Sequence, residues 1–438
     1  MRGRQNCRNN ALVPSYLHGE LSDREKARFE AHLKECDSCR GELDAVRRVS
    51  ERLKELPAEE LKRDLAPAIM AKIPQESWGR HGFNWALAAG LAACLALAVL
   101  GGLLLFHRGE QDTQVPAYVA RESKAVKQAL VWLAGFQEPD GSWDAKKSGG
   151  HKDYTLGLTG LAVLALLSGD EKPLEGAHAA SISRGLEYIV AQQQPDGRFG
   201  PLVAGAMYNH GISTVALLEA YGLNRDETLK RPIDRALGYI YAQQKDSGGW
   251  GYRKGRSPAN TSISIWQLHA LTLACAVGWG EAGEKAGLGM DWLRGVIDEK
   301  GKVGYKEAGD FPYGTEALTA MGASCLFTGG TEAAVIELGP GLKHVASTQG
   351  DEIDFYRWYF LTYALHAVEE IRSGTLEARL QSALADQQVK SGPEAGSWAP
   401  TDQWGSAGGR VYSTSLAVLS LETARRVPRI LGWIENVQ

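Results

Sequence analysis

The chain has 438 residues, 44% of them hydrophobic and 23% charged, with a formal net charge of -4. That length allows two or three domains, and that charge excludes a nucleic-acid binder relying on bulk positive charge. Three of the six cysteines precede an apolar run, Cys94 lies inside it, and Cys275 and Cys325 stand far downstream, which excludes a disulfide framework and suggests one metal cluster plus strays.

The opening residues, MRGRQNCRNNALV, lack the apolar core of a cleaved signal peptide. Leu12, Tyr16 and Leu17 suggest a short first helix, broken near His18 and Gly19. Ser22 followed by Glu25 is a capping box, which predicts a second helix from Asp23 to about Lys34. Phe29 and Leu33 share a face of that helix, with His32 beside them. Cys36 and Cys39 fall in the turn that follows, so His32, Cys36 and Cys39 stand at His-x3-Cys-x2-Cys spacing. Thiolate and imidazole donors suit Zn²⁺, and a closed tetrahedral site needs a fourth ligand. Cys7 is the only other cysteine before the apolar run. The alternative is a chance cysteine pair beside a solvated histidine. A segment this small buries too little apolar surface to hold itself, so a metal staple has a clear job. Leu43, Val46, Leu53 and Leu56 then form an apolar stripe on a charged helix ending near Pro57.

The order Cys7, YLHGELS (16–22) and FEAHLKECDSCRGEL (29–43) resembles the zinc-binding anti-sigma domain of bacterial membrane regulators, over about residues 7–45. That resemblance implies Cys7, His32, Cys36 and Cys39 as zinc ligands. It further implies a cytoplasmic segment, within residues 1–80, that clamps a sigma factor of the extracytoplasmic-function type.

From Gly82 to Phe106 no residue is charged, and the 22 residues from Trp85 to Phe106 are nearly all Ala, Leu, Val and Gly. At about 1.5 Å per residue the run covers roughly 33 Å, enough to cross a hydrocarbon core of about 30 Å. Residues 83–106 therefore read as a single transmembrane helix, a buried core helix being the alternative. Lys72 and Arg80 before it balance Arg108 and Arg121 after it, so flanking charge sets no orientation. A thiolate cluster persists most easily in a reducing compartment, which points to a cytoplasmic N-terminal segment of about 80 residues, and the resemblance implies a bacterial inner membrane with the rest of the chain beyond it.

After a linker at 107–119 the chain repeats itself. ALVWLAGFQEPDGSW ends at Trp143, GLEYIVAQQQPDGRF at Phe199, ALGYIYAQQKDSGGW at Trp250, GMDWLRGVIDEKGKVGY at Tyr305 and ALADQQVKSGPEAGSW at Trp398. A period of about fifty residues signals a repeat architecture. Each unit reads as an amphipathic helix, a Gln, a glycine turn, an aromatic and then a more apolar helix. The apolar helices are expected at 154–167, 211–222, 261–278, 314–327, 358–368 and 411–422. The uneven polarity predicts an all-α domain at 120–425 with amphipathic helices outside and apolar ones inside, followed by a tail at 426–438. The turn Gln is expected to bond helix ends, and the aromatic to be buried between neighbouring hairpins.

QEPDGSW (137–143) and QQPDGRF (193–199) resemble the QW repeats of squalene–hopene cyclases, and the helix pairing is similar to protein prenyltransferase β subunits. The resemblance implies an α/α toroid of five or six helical hairpins. The departures argue against either chemistry. No Asp-x-Asp-Asp acid is present, DEID (351–354) having the wrong order, and neither Cys275 nor Cys325 stands in a zinc-ligand context. Both cysteines read as small apolar residues of inner helices, and the aspartates as single helix caps.

In a closed ring the polar and aromatic starts of the inner helices converge at one mouth, a default ligand site. Asp354, Trp358, Tyr359, Arg410 and Tyr412 are the expected contact residues, capping alone being the other reading. Two functions stand out. One is a single-pass membrane regulator whose zinc domain binds a sigma factor and whose outer toroid senses an unknown ligand. The other is a membrane-anchored toroid enzyme, or a lipid- or isoprenoid-binding protein of the terpenoid cyclase or prenyltransferase type.

Overall fold

A computed structural model of the protein describes residues 23–36, 39–40, 43, 117–253, 255–312, 317–329, 338–342, 345, 353–365 and 375–435. The chain divides into two compact units, one drawn mostly from residues before 117 and one running from Ala117 onward. In the first, helix α1 spans Asp23–Glu35, where the capping box places it. No helix among the described residues is long and apolar enough to cross a membrane. The expected span at 83–106, Cys7, the 107–116 part of the linker and the Leu43–Leu56 stripe beyond Leu43 lie outside the described residues.

The second unit is all helix. Its helices are α2 (Ala117–Phe136), α3 (Thr155–Ser168), α4 (Ala179–Ala191), α5 (Ala206–Asn224), α6 (Lys230–Gln243), α7 (Thr261–Val277) and α8 (Ala282–Gly295). Then come α9 (Leu318–Thr328), α10 (Phe355–Leu365), α11 (Thr375–Gln387), α12 (Gly405–Leu421) and α13 (Thr423–Glu435). Polarity sorts them into layers. Helix α3, TLGLTGLAVLALLS, is apolar all round and is buried from Leu156 to Ser168. Helix α6 buries only Ile233, Ala236, Leu237, Tyr239 and Ile240, a single stripe at helical spacing.

The apolar helices form a closed inner ring. α3 packs on α5, α5 on α7, α7 on α9, α9 on α10, α10 on α12, and α12 returns to α3. The amphipathic helices lie outside, α4 on α3, α6 on α5, α8 on α7, and α2 against α11 and α12. Six inner helices among the described residues give the toroid its order, close to the six segments expected from the sequence.

The repeat motif is the fastener. Gln137 donates to Gly141 O (3.0 Å) in its own turn and to Ser181 O (2.9 Å) on the next outer helix. Gln193 spans Gly197 and Pro232 in the same way, and Gln244 spans Gly248 and Lys285. Gln388 closes the circle, donating to Gly396 O (2.9 Å) and, 263 residues away, to Ala125 O (2.7 Å). Trp143, Trp250 and Trp398 are at most 1% exposed, and each indole N–H donates to the preceding outer helix, at Leu133, Ile240 and Leu384. Burying a large ring while satisfying its one donor is what makes Trp suited to this position.

The chain past 425, expected as a tail, is instead helical to Glu435 within α13. Helix α13 packs on α7, α10 and α12. Its Arg426, 3% exposed, meets Glu219, 0% exposed, on α5. Arg426 also donates to Tyr359 OH (3.0 Å), and Arg429 to Leu167 O (3.2 Å) at the end of α3. The helix thus reaches five of the six inner helices and floors the ring.

Candidate functional site

At the end of α1 the helix itself brings the donors together. Cys36 N donates to His32 O (3.0 Å), so the helical turn carries Cys36 back toward His32. His32, Cys36 and Cys39 offer ligand atoms that all lie within 4.8 Å of one another, with Cys39 Sγ 3.3 Å from His32 Nε2. Zn–S near 2.3 Å and Zn–N near 2.0 Å in a tetrahedron put such atoms about 3.5 Å apart, so the three fit one Zn²⁺. Phe29 (2% exposed), Leu43 (6%) and Cys39 (0%) are buried, and the His32 ring stacks on Phe29 at 6.3 Å.

Arg40 was not anticipated from the sequence. Its guanidinium donates to Leu33 O (2.6 Å) and Lys34 O (2.7 Å), two carbonyls that the helix end leaves unpaired. The signal was a cation just past the C-terminus of a capped helix, where the helix dipole favours it.

The inner helices start at one end of the ring, as expected. Asn209 donates to Asp153 O (2.7 Å), joining the starts of α5 and α3. Tyr208 OH donates to Ser262 Oγ (2.7 Å), joining α5 to α7. His151 N donates to Ala407 O (2.8 Å), joining α12 to α3. Tyr208 also meets Tyr252 edge-on at 6.1 Å, and Trp266 Nε1 donates to Tyr356 OH (2.6 Å). Burial raises the phenols of Tyr208, Tyr356 and Tyr412 well above their usual range, so all three stay neutral hydroxyls.

The expected contact residues separate. Asp354 sits at the mouth and caps α10, accepting from Arg357 N (2.9 Å). Tyr412 lies there too, donating to Asp402 Oδ2 (2.9 Å). Arg410 is tied to Glu394 and to Ser397 Oγ. Tyr359 lies deeper, its ring stacked on Trp266 at 6.2 Å and its hydroxyl bonded to Arg426 of the floor. Trp358 is 2% exposed, and its indole N–H has no partner among the described residues. Below the mouth, Trp266, His269, Tyr359, Phe360 and Tyr363 stack on one another. Burial, with Arg426 nearby, drops His269 to about 3, so it is neutral packing material.

Asp402 is the residue that sequence reasoning missed. Asp402 reaches the start of α10, where its carboxylate holds the amide of Phe355, the residue after Asp354. Asp402 Oδ2 accepts from Phe355 N (3.0 Å) as well as from Tyr412, and Oδ1 from Trp404 N (3.1 Å). Burial and the neighbouring Asp354 charge push its carboxyl up to about 6, despite those donors. Its local bond to Trp404 reads as an ordinary turn, and the partners that tie it to α10 and α12 are 47 and 10 residues away.

Comparison with known proteins agrees with both halves. Residues 11–40 match the family described as "Putative zinc-finger". The chain is 29% identical over 145 residues to the anti-sigma-L factor RslA of Mycobacterium tuberculosis, covering 30% of this chain and 57% of that protein. It is 25% identical over 178 residues to the drimenyl diphosphate synthase of Streptomyces showdoensis, covering 37% of this chain and 32% of that one. With the squalene–hopene cyclase of Zymomonas mobilis it shares 27% identity over 221 residues, 44% of this chain and 31% of that one. The chain therefore spans between about a third and just over half of these relatives. Among solved structures, an α-1,6-mannanase of Salegentibacter superposes with a TM-score of 0.54 at 12% identity, over 69% of this chain and 98% of that one. The type II terpene cyclase MstE of Scytonema gives 0.50 at 17% identity, over 72% and 99%. At such identities these structures speak for the toroid fold alone. The chain thus joins a segment similar to a putative zinc finger and to an anti-sigma factor with a helical toroid similar in sequence to parts of two terpenoid cyclases.

Proposed function

We propose that this protein is a single-pass membrane anti-sigma regulator. Its zinc-stapled N-terminal segment holds a sigma factor of the extracytoplasmic-function type in the cytoplasm. Residues 83–106 cross the bacterial inner membrane, and the toroid outside is the sensing, ligand-binding part. The observation that carries this reading is the His32–Cys36–Cys39 cluster, built inside the segment that matches the zinc-finger family and supported by the likeness to an anti-sigma factor. The zinc would hold the end of α1 against the following turn. Cys7 is proposed as the fourth ligand. The toroid mouth, where Asp402 takes bonds from Tyr412 and from the amide of Phe355 next to Asp354, is the proposed ligand contact region.

The test is retention of a sigma factor by the full-length chain. The wild type is expected to co-purify with one candidate sigma factor and one equivalent of Zn²⁺. Cys36→Ser is expected to lose both, because the metal supplies much of the stability of so small a domain. Full zinc and full retention in that variant would sink the reading.

A second reading, an isoprenoid-binding or isoprenoid-converting toroid, draws on the likeness to two cyclases and on the Asp354–Asp402 pair. Turnover of squalene or farnesyl diphosphate by the full-length chain, lost in Asp402→Asn, would favour it.

A further inference from the structure

Solvent reaches the inner helices at their first turns. From Ala206 to Tyr221, α5 is buried except at Tyr208, and from Thr261 to Ala274, α7 is buried except at Ser262. In α10 the half-buried residues are Tyr356 and Arg357. Trp266 of α7 lies against Gly211 of α5, one turn below Tyr208, and donates to Tyr356 OH (2.6 Å). Tyr208 meets Tyr252 edge-on at 6.1 Å, and Tyr305 OH donates to Tyr252 OH at 3.4 Å. On the other side Asp402 joins Tyr412 to the amide of Phe355, beside Tyr356. The starts of the inner helices thus edge a recess with tyrosine rings, floored by Trp266.

Deeper in the ring the protein shows what such a lining holds. Arg426 lies over the rings of Tyr359 (5.9 Å) and Tyr363 (5.7 Å), with Glu219 as its carboxylate partner. A cation on aromatic faces is attracted by the ring quadrupoles, the more so where water is excluded. The mouth repeats that composition, with Asp402 in the place of Glu219. All three donors to Asp402 are neutral, namely Phe355 N, Trp404 N and Tyr412 OH. Among the described residues no basic side chain pairs with it, and Arg410 of α12 is engaged by Glu394.

We propose that the mouth recess binds an organic ammonium ion, its head on the faces of Tyr208 and Tyr356 and its charge answered by Asp402. The proposal rests on the reading of the mouth as the ligand contact region and names the chemical class of that ligand. Alkyl groups on the nitrogen suit the rings, and the positive charge suits both the rings and the carboxylate. A bare metal ion is a poorer match, because it needs a cage of oxygen donors rather than ring faces. An anion would be repelled by Asp402, and an uncharged apolar body would cover a carboxylate without meeting its charge.

The experiment is calorimetric titration of the full-length chain with choline and, separately, with dimethylbutanol, its uncharged carbon isostere. Wild type is expected to bind choline at least about tenfold more tightly than the isostere. Asp402→Asn should weaken choline about tenfold and leave the isostere unchanged, whereas a merely structural role for Asp402 would move both probes together. Tyr208→Leu should also weaken choline, by removing a ring face. Should Asp402→Asn fail to fold, the wild-type ratio and Tyr208→Leu still decide. No heat from choline at millimolar concentration, equal binding of the two probes, or undiminished choline binding in Asp402→Asn overturns the proposal. Equal binding removes the cation preference while leaving the mouth a ligand site. No outcome touches sigma-factor retention by the N-terminal segment, so this proposal and the regulator reading fail separately.

Discussion

Single atoms decide where the toroid tolerates change. Gly197 has φ 90°, and a Cβ there would collide with the carbonyl oxygen of Arg235 on the next outer helix. Gly141, Gly248 and Gly396 stand in the same conformation, against Arg184, Leu288 and Gln128. The hydrogen atom at these positions is what lets each turn lie flat on its neighbour. Gly197→Ala is expected to cost about 2–3 kcal/mol, since a left-handed backbone and a backbone collision add. Gly238, inside α6 with nothing within 4 Å of its would-be Cβ, is the contrast. Alanine there is expected to stabilise by about 0.5–1 kcal/mol through helix propensity. Urea unfolding of the two variants checks both signs, and equal effects would refute the collision argument. The repeated glycines were visible in the sequence, whereas the atom each one meets was not.

Helix α13 shows the same division one scale up. Its sequence, TARRVPRILGWIE, alternates basic and apolar residues in a way that reads as a solvated tail. Val427 and Ile430 are nevertheless 1% and 4% exposed, and Arg426 is buried. Burial works against the Arg426 charge, but the Glu219 carboxylate and the tyrosines around it hold the guanidinium well above its usual range. Thr423 Oγ1 to Thr362 Oγ1, 3.1 Å, anchors the helix start on α10. Removing one partner of a buried pair leaves an uncompensated charge, so Arg426→Met is expected to cost about 3–5 kcal/mol. Adding Glu219→Met should restore part of that loss, as a pair replaced by apolar groups often does. A single-variant cost below about 1 kcal/mol, read from the denaturation midpoint, would show that α13 does not depend on the pair. Helix α1, by contrast, was legible from Ser22 and Glu25 alone, because capping is local.

For the molecule as a whole the proposed membrane regulator carries a prediction of topology. The uncharged run from Gly82 to Phe106 and the thiol-rich segment before it argue for an N-terminus inside the cell. Alkaline phosphatase joined after the last residue is expected to be active, and joined at residue 75 inactive. The reverse pattern would refute both the orientation and the regulator reading. Within the toroid, the reach of Gln388 to Ala125 means that the first and last repeats are neighbours, so the ring closes only when both ends of the chain are present.

By itself the sequence determined the helical class, the inside and outside layers, the fifty-residue repeat and the grouping of His32, Cys36 and Cys39. All of these are written in local spacing, in hydrophobic period or in residues a few positions apart. The closed ring was implied by the family resemblance, and the tertiary structure alone decided that α13 floors it. It alone brought Glu219 to Arg426 and Asp402 to Phe355, separations of 207 and 47 residues. A carboxylate's partners and its proton affinity depend on what the fold carries to it, and no pattern along the chain records that.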